Sequence, residues 1–98
     1  MDRKLKEQLR QDWENHLKSI TDNIVLAARE EKIINISYKD KKGSVSNRNV
    51  EPYEVKNETL YGYCLSKNSI RQFKIENIVQ AKITEDKFIP RYPIVIKG

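Results

Sequence analysis

Residues 59 to 75, TLYGYCLSKNSIRQFKI, place Tyr61, Tyr63, Arg71 and Lys74 within one short span. Tyrosine rings offer flat faces on which a base can stack, and arginine and lysine supply cations for phosphate. Two aromatic-rich runs around SKNS predict a hairpin. A two- or four-residue connection pairs Leu65 with Ile70, Tyr63 with Gln72 and Tyr61 with Lys74. Directly opposed residues share a face. Leu60, Gly62, Cys64, Arg71, Phe73 and Ile75 then form the core face, with Gly62 leaving room for the Phe73 ring opposite. Tyr61, Tyr63, Leu65, Ile70, Gln72 and Lys74 form the other face. There Tyr61 opposes Lys74 in an expected nucleic-acid-binding surface.

Two arginines have inward parity. Arg71 belongs to the core face near its strand end, and Arg48 shares parity with Val50. A buried guanidinium requires a carboxylate or an anionic ligand. Glu51, Glu54 and Glu76 are the candidate structural partners; the other reading is that both arginines hold one anion. The candidate ligand or nucleic-acid contacts are therefore Arg48, Tyr61, Tyr63, Arg71 and Lys74.

Other reactive types are poorly placed for catalysis. His16 sits on a helix flank between Trp13 and Leu17, with no metal-ligand spacing around it. Cys64 has core parity and reads as a small hydrophobe. Glu51 and Glu54 flank a proline and make a weak carboxylate pair. With glycine only at 43, 62 and 98, no phosphate loop exists. No enzyme activity, metal or cofactor is expected.

The elements that must position these residues follow from periodicity. Leu5, Leu9, Trp13, Leu17 and Ile20 make one helical stripe over 2–18. Ser19 or Thr21 can cap a second helix reaching Lys32, or the two are one bent helix. From Lys32 the period falls to 2, with Ile34, Ile36 and Tyr38 on one face. DKKG predicts a turn at Gly43. A strand over 44–56 is interrupted at Pro52, and Asn57–Glu58 is a turn. The hairpin strands 59–65 and 70–75 come next. A helical turn at 75–78 and a strand over 79–84, with Val79, Ala81 and Ile83 inward, complete the set. Tail residues YPIVIK are a possible added strand, on this sheet or a neighbour's. Five short strands predict a small barrel, α+β in class, with the two arginines at its mouth.

Length and charge bound the rest. Ninety-eight residues make one domain with a modest core. No apolar run is long enough to cross a bilayer, and no secretory signal is evident. A single cysteine excludes an internal disulfide. A cytoplasmic protein is expected. Residues 1–32 hold seven Lys/Arg and seven Asp/Glu, so the whole net charge of +5 lies in residues 33–98. That excess favours phosphate-bearing partners.

NIVLAAREEKIINISYKDKKG, RNVEP, LYGYC and IRQFKIENI, in this order and spacing, resemble the WYL domain family. The family runs from a short helix into an i-x-Y strand, an R-x-V-x-P segment, a Trp-Tyr-Leu triplet and an R-x-F-(R/K)-(L/I)-(D/E)-R-I end. Here the triplet is Leu60-Tyr61-Gly62, and Asn77 stands at the second arginine. The resemblance implies an SH3/Sm-like barrel over 22–98 behind an amphipathic helix over 1–21. It also implies a role in bacterial transcription or defence through nucleic acid or nucleotide-like ligands, with Arg48, Tyr61 and Arg71 at the ligand-binding positions. Asn77 bears on ligand affinity and identity. The 21 residues before the domain are too few for the winged helix-turn-helix of family regulators. The expected function is thus a non-enzymatic binding or regulatory module. The alternative is an assembly module whose helix, residues 1–20, and tail contact a protein partner or a second copy. No membrane partner is expected.

Overall fold

The computed structural model describes residues 3–96. One helix, α1 (Arg3–Arg29), precedes five strands: β1 (Lys32–Lys39), β2 (Val45–Lys56), β3 (Thr59–Cys64), β4 (Ser69–Lys74) and β5 (Ile78–Lys87). A 3-10 turn (Ile75–Asn77) joins β4 to β5. The helix is continuous through the expected cap. Thr21 donates its hydroxyl to the Leu17 carbonyl at 3.0 Å, a bond made inside a helix rather than at its start. It ends where Glu31 adopts φ 54°. No described helix is long and apolar enough to cross a membrane.

The strands form one antiparallel sheet in the order β4-β3-β2-β1-β5. The expected barrel is not closed by hydrogen bonds, because β4 and β5 are the two edges of this sheet. The sheet nevertheless curls. Tyr38 on β1 meets Phe73 on β4 edge-to-face at 5.2 Å, and its hydroxyl accepts from the Lys74 amide at 3.4 Å.

Turn chemistry explains the connections. Asp40 accepts from the amides of Lys42 and Ser44, both at 2.9 Å, and Gly43 takes φ 87°. Asn57 and Glu58 take φ 51° and 58°, the two positive values of a tight hairpin. Residues 65–68 make a four-residue loop, with Asn68 at φ 52°.

That loop closes on Cys64 and Ser69, not on Leu65 and Ile70. The register is therefore displaced by two residues. Because strand side chains alternate with period two, the faces survive and the partners change. Leu60 opposes Phe73, Gly62 opposes Arg71, Tyr61 opposes Gln72 and Lys74 opposes Thr59. Gly62 consequently does not make room for Phe73. A Cβ there would collide with the Val50 side chain and lie 2.8 Å from the Glu51 carbonyl oxygen, so the glycine admits β2.

The core lies between α1 and the sheet. Ile20, Ile24 and Ala27 pack with Ile34, Ile36, Val50 and Leu60. Val79 does not take its expected inward place. Ser37 pairs with Gln80 and Tyr38 with Ile78, so Val79 is the extra residue of a bulge and is 48% exposed. Ile78 takes its inward place and is buried with Ala81. The tail adds no strand among the described residues. Its Val95 amide donates to the Tyr53 carbonyl at 2.9 Å, and Ile96 packs against the core.

Candidate anion-binding site

The inward faces of β2 and β4 run out of apolar residues toward one end of the core. Arg48 opposes the buried Ile36, and Arg71 opposes Gly62. Both reach the same pocket of about 190 Å³, which Lys67 from the β3–β4 loop also lines. Cys64 and Phe73, both buried, contribute apolar surface to it. Each arginine is held from below by a serine two residues earlier on its own strand. Arg48 Nε donates to Ser46 Oγ at 3.3 Å, and Arg71 Nε to Ser69 Oγ at 3.2 Å. These bonds use only Nε. Among the described residues neither guanidinium forms an ion pair, so Glu51, Glu54 and Glu76 are not their partners. Asp40 is the acid that lines the pocket, and its Oδ1 already accepts two turn amides.

The positive charge reaches the thiol. Burial alone raises the Cys64 pKa. Hydrogen bonds from Ser66 and from the Lys67 and Ser66 amides oppose it, as does the charge of Arg48, and together they hold the thiol below its ordinary value.

The five sequence candidates divide among three places. Arg48 and Arg71 share the pocket. Tyr61 and Lys74 lie on the opposite face of the hairpin, diagonal rather than directly opposed. Tyr63 is covered, with the Arg91 guanidinium 4.1 Å from its ring centroid.

Arg91 belongs to a second cluster. Its Nε donates to the two Glu51 carboxylate oxygens at 3.2 and 3.4 Å, and its amide donates to the Tyr53 hydroxyl at 2.9 Å. That hydroxyl donates to Glu51 Oε1 at 2.7 Å. Burial, then this bond to a carboxylate, pushes the Tyr53 pKa up to about 12. The bond to Glu51 is likewise the main reason the Arg91 pKa is raised. Phe88 and Tyr92 pack edge-to-face on Tyr53. Three features escaped the sequence reading: Lys67, Arg91 and the repeated Ser-x-Arg. The last was visible as Ser46-Asn47-Arg48 and Ser69-Ile70-Arg71.

The WYL domain model matches residues 19–83 of this chain. The chain belongs to the WYL domain family. Among curated proteins there is no match. Among solved structures, Proteasome accessory factor B/C (PafBC) of Arthrobacter aurescens is similar at a TM-score of 0.66 and 20% identity, over 74% of this chain. The chain spans 13% of that protein, and the likeness is one of fold. In this WYL domain the pocket arginines lie inside the matched segment. The N-terminal half of α1 and the Arg91 tail lie outside it. The glycine at the third triplet position has the steric reason given above, the close passage of β2.

Proposed function

We propose that this WYL domain is a non-enzymatic regulatory module that binds a phosphate group of a nucleic acid or nucleotide-like ligand between Arg48 and Arg71. The observation that carries this reading is two serine-braced guanidiniums, without ion-pair partners among the described residues, lining one pocket. Two such cations side by side repel unless an anion joins them. Lys67 adds a third positive charge to the pocket. At about 190 Å³ the space is below the roughly 300–1,000 Å³ of sites that enclose a whole organic ligand. It suits a phosphate, with sugar and base outside. The curl that joins Tyr38 to Phe73 supports a barrel-like enclosure with the pocket at its mouth. A mononucleotide reaches only this pocket, whereas a strand passing over the free edge of β4 also reaches Tyr61 and Lys74.

The test is a titration of the protein with inorganic phosphate and with short single-stranded RNA and DNA. Arg48→Ala and Arg71→Ala should each weaken binding roughly 10- to 100-fold, the loss of one or two charge-assisted hydrogen bonds. Their unfolding temperatures should stay close to wild type, since among the described residues neither arginine has an ion-pair partner to abandon. Wild type that binds none of the probes at low salt, with variants that unfold early, would make the arginines structural.

A further inference from the structure

We propose that the N-terminal half of α1 pairs antiparallel with the same segment of a second copy of this chain, with Trp13 at the centre of the contact. The face that buries Ile20, Ile24, Ala27 and Ala28 against the sheet continues toward the N-terminus along the helical repeat. There, among the described residues, it is left largely open, with His16 stacked on Trp13 at 5.7 Å. Residues 8–15 are all exposed, with Leu9 at 56% and Trp13 at 50%. Val79, turned outward by the β5 bulge, shares a cleft with Trp13 and His16 and extends the patch.

Charge identifies the occupant. The excess of +5 lies wholly in residues 33–98, and residues 1–32 are balanced at seven against seven. Two identical basic domains repel at most surfaces and approach at least cost along this neutral segment. The balance also gives nucleic acid or an anionic membrane no attraction to the helix. Arg10 and Glu14 fix the direction. They stand four apart on one flank of the Leu9–Trp13 stripe, yet form no ion pair with each other. Arginine ahead of glutamate is the weaker order for such a pair within a helix. In an antiparallel pairing centred midway between them, Arg10 of each copy meets Glu14 of the other. Trp13 then seats between Leu9 and Trp13 of the second copy, the position of a central aromatic anchor.

Sedimentation equilibrium on the full chain should show a species of twice 11.6 kDa that grows with concentration. Trp13→Ala should weaken it about 30-fold, with helix content unchanged by circular dichroism. Arg10→Glu and Glu14→Arg should each weaken it, and R10E/E14R together should restore it. A mixture of the two single variants should also recover it, since opposite charges then meet only across the contact, and a role within one chain would not produce that second recovery. A wild type that stays at 11.6 kDa at every concentration overturns the proposal and leaves the face to a different protein. A dimer indifferent to Trp13→Ala, or a double variant no tighter than the singles, overturns it as well.

Discussion

Glu51 is a carboxylate only 3% exposed, and its tolerance rests on two neighbours. Arg91 and Tyr53 donate to it, so its charge is both balanced and solvated by protein groups. Arg91→Ala removes the balancing cation and leaves the carboxylate with the Tyr53 hydroxyl. Urea unfolding should show a loss of about 1–3 kcal/mol, moderated by the half-exposed position of Arg91. Tyr53 adds a pH signature. Its folded pKa, near 12, lies above its ordinary value of 10.0. A raised folded pKa gives stability that is complete below the unfolded pKa and lost as pH rises through the folded one. Wild type should therefore lose roughly 2–3 kcal/mol between about pH 10 and 12, and Tyr53→Phe should lack that part of the decline. Identical profiles would show that the hydroxyl is not held as described. At this scale the shared side of Arg48 and Arg71 was legible, because parity along a strand is a property of the strand alone, but their burial was not: Arg71 is exposed and Arg48 half-buried. Arg91 was not legible. It meets Glu51 across 40 residues from a segment with no periodicity, and only the assembled chain reveals the contact.

The elements themselves were legible where one period dominates. The change from 3.6 to 2 near Lys32 located β1, and Asn57–Glu58 located the β2–β3 turn. Continuity of α1 was not legible, since a threonine that caps a helix and one that bonds back to residue i−4 look alike in sequence. Register was not legible either. A four-residue loop can close on either of two neighbouring pairs, and here the chosen one leaves Leu65 outside β3. The faces came through because both choices preserve parity, and so did the shared inward side of Arg48 and Arg71. Gly62 shows what register changes. Its role was expected to be space for Phe73, but the group that needs the space is β2. Gly62→Ala should then cost about 1–3 kcal/mol, since the obstacle includes the Glu51 carbonyl at 2.8 Å, part of a backbone held in the sheet. Chemical denaturation measures this. A neutral substitution would mean that β2 can move away from β3, and the glycine would need another explanation.

Over the whole molecule, charge and apolar surface are segregated. The basic excess sits on the sheet domain, and the exposed apolar stripe sits on α1 within the charge-balanced residues 1–32. Two contacts of opposite physical character can therefore operate independently, and salt separates them. A single strand loses about 0.7 in the slope of log affinity against log salt for each phosphate neutralised. A single phosphate held among Arg48, Arg71 and Lys67 predicts a slope of roughly −0.7 for an oligonucleotide engaged in the pocket alone. If the strand also crosses β4 to the outer hairpin face, a second phosphate on Lys74 brings the slope to about −1.4. On that face Tyr61 would contribute stacking, worth roughly 1–3 kcal/mol per base and nearly indifferent to salt. Titrating short single-stranded RNA and DNA at two salt concentrations resolves these contributions. Tyr61→Ala should lower affinity at both salts with the slope unchanged, and Lys74→Ala should flatten the slope by about 0.7. Tyr63→Ala should do neither, since its ring is already occupied by Arg91. Slopes of about −0.7 for wild type and for Lys74→Ala alike would confine the nucleic acid to the arginine pocket and remove the outer face from the binding surface.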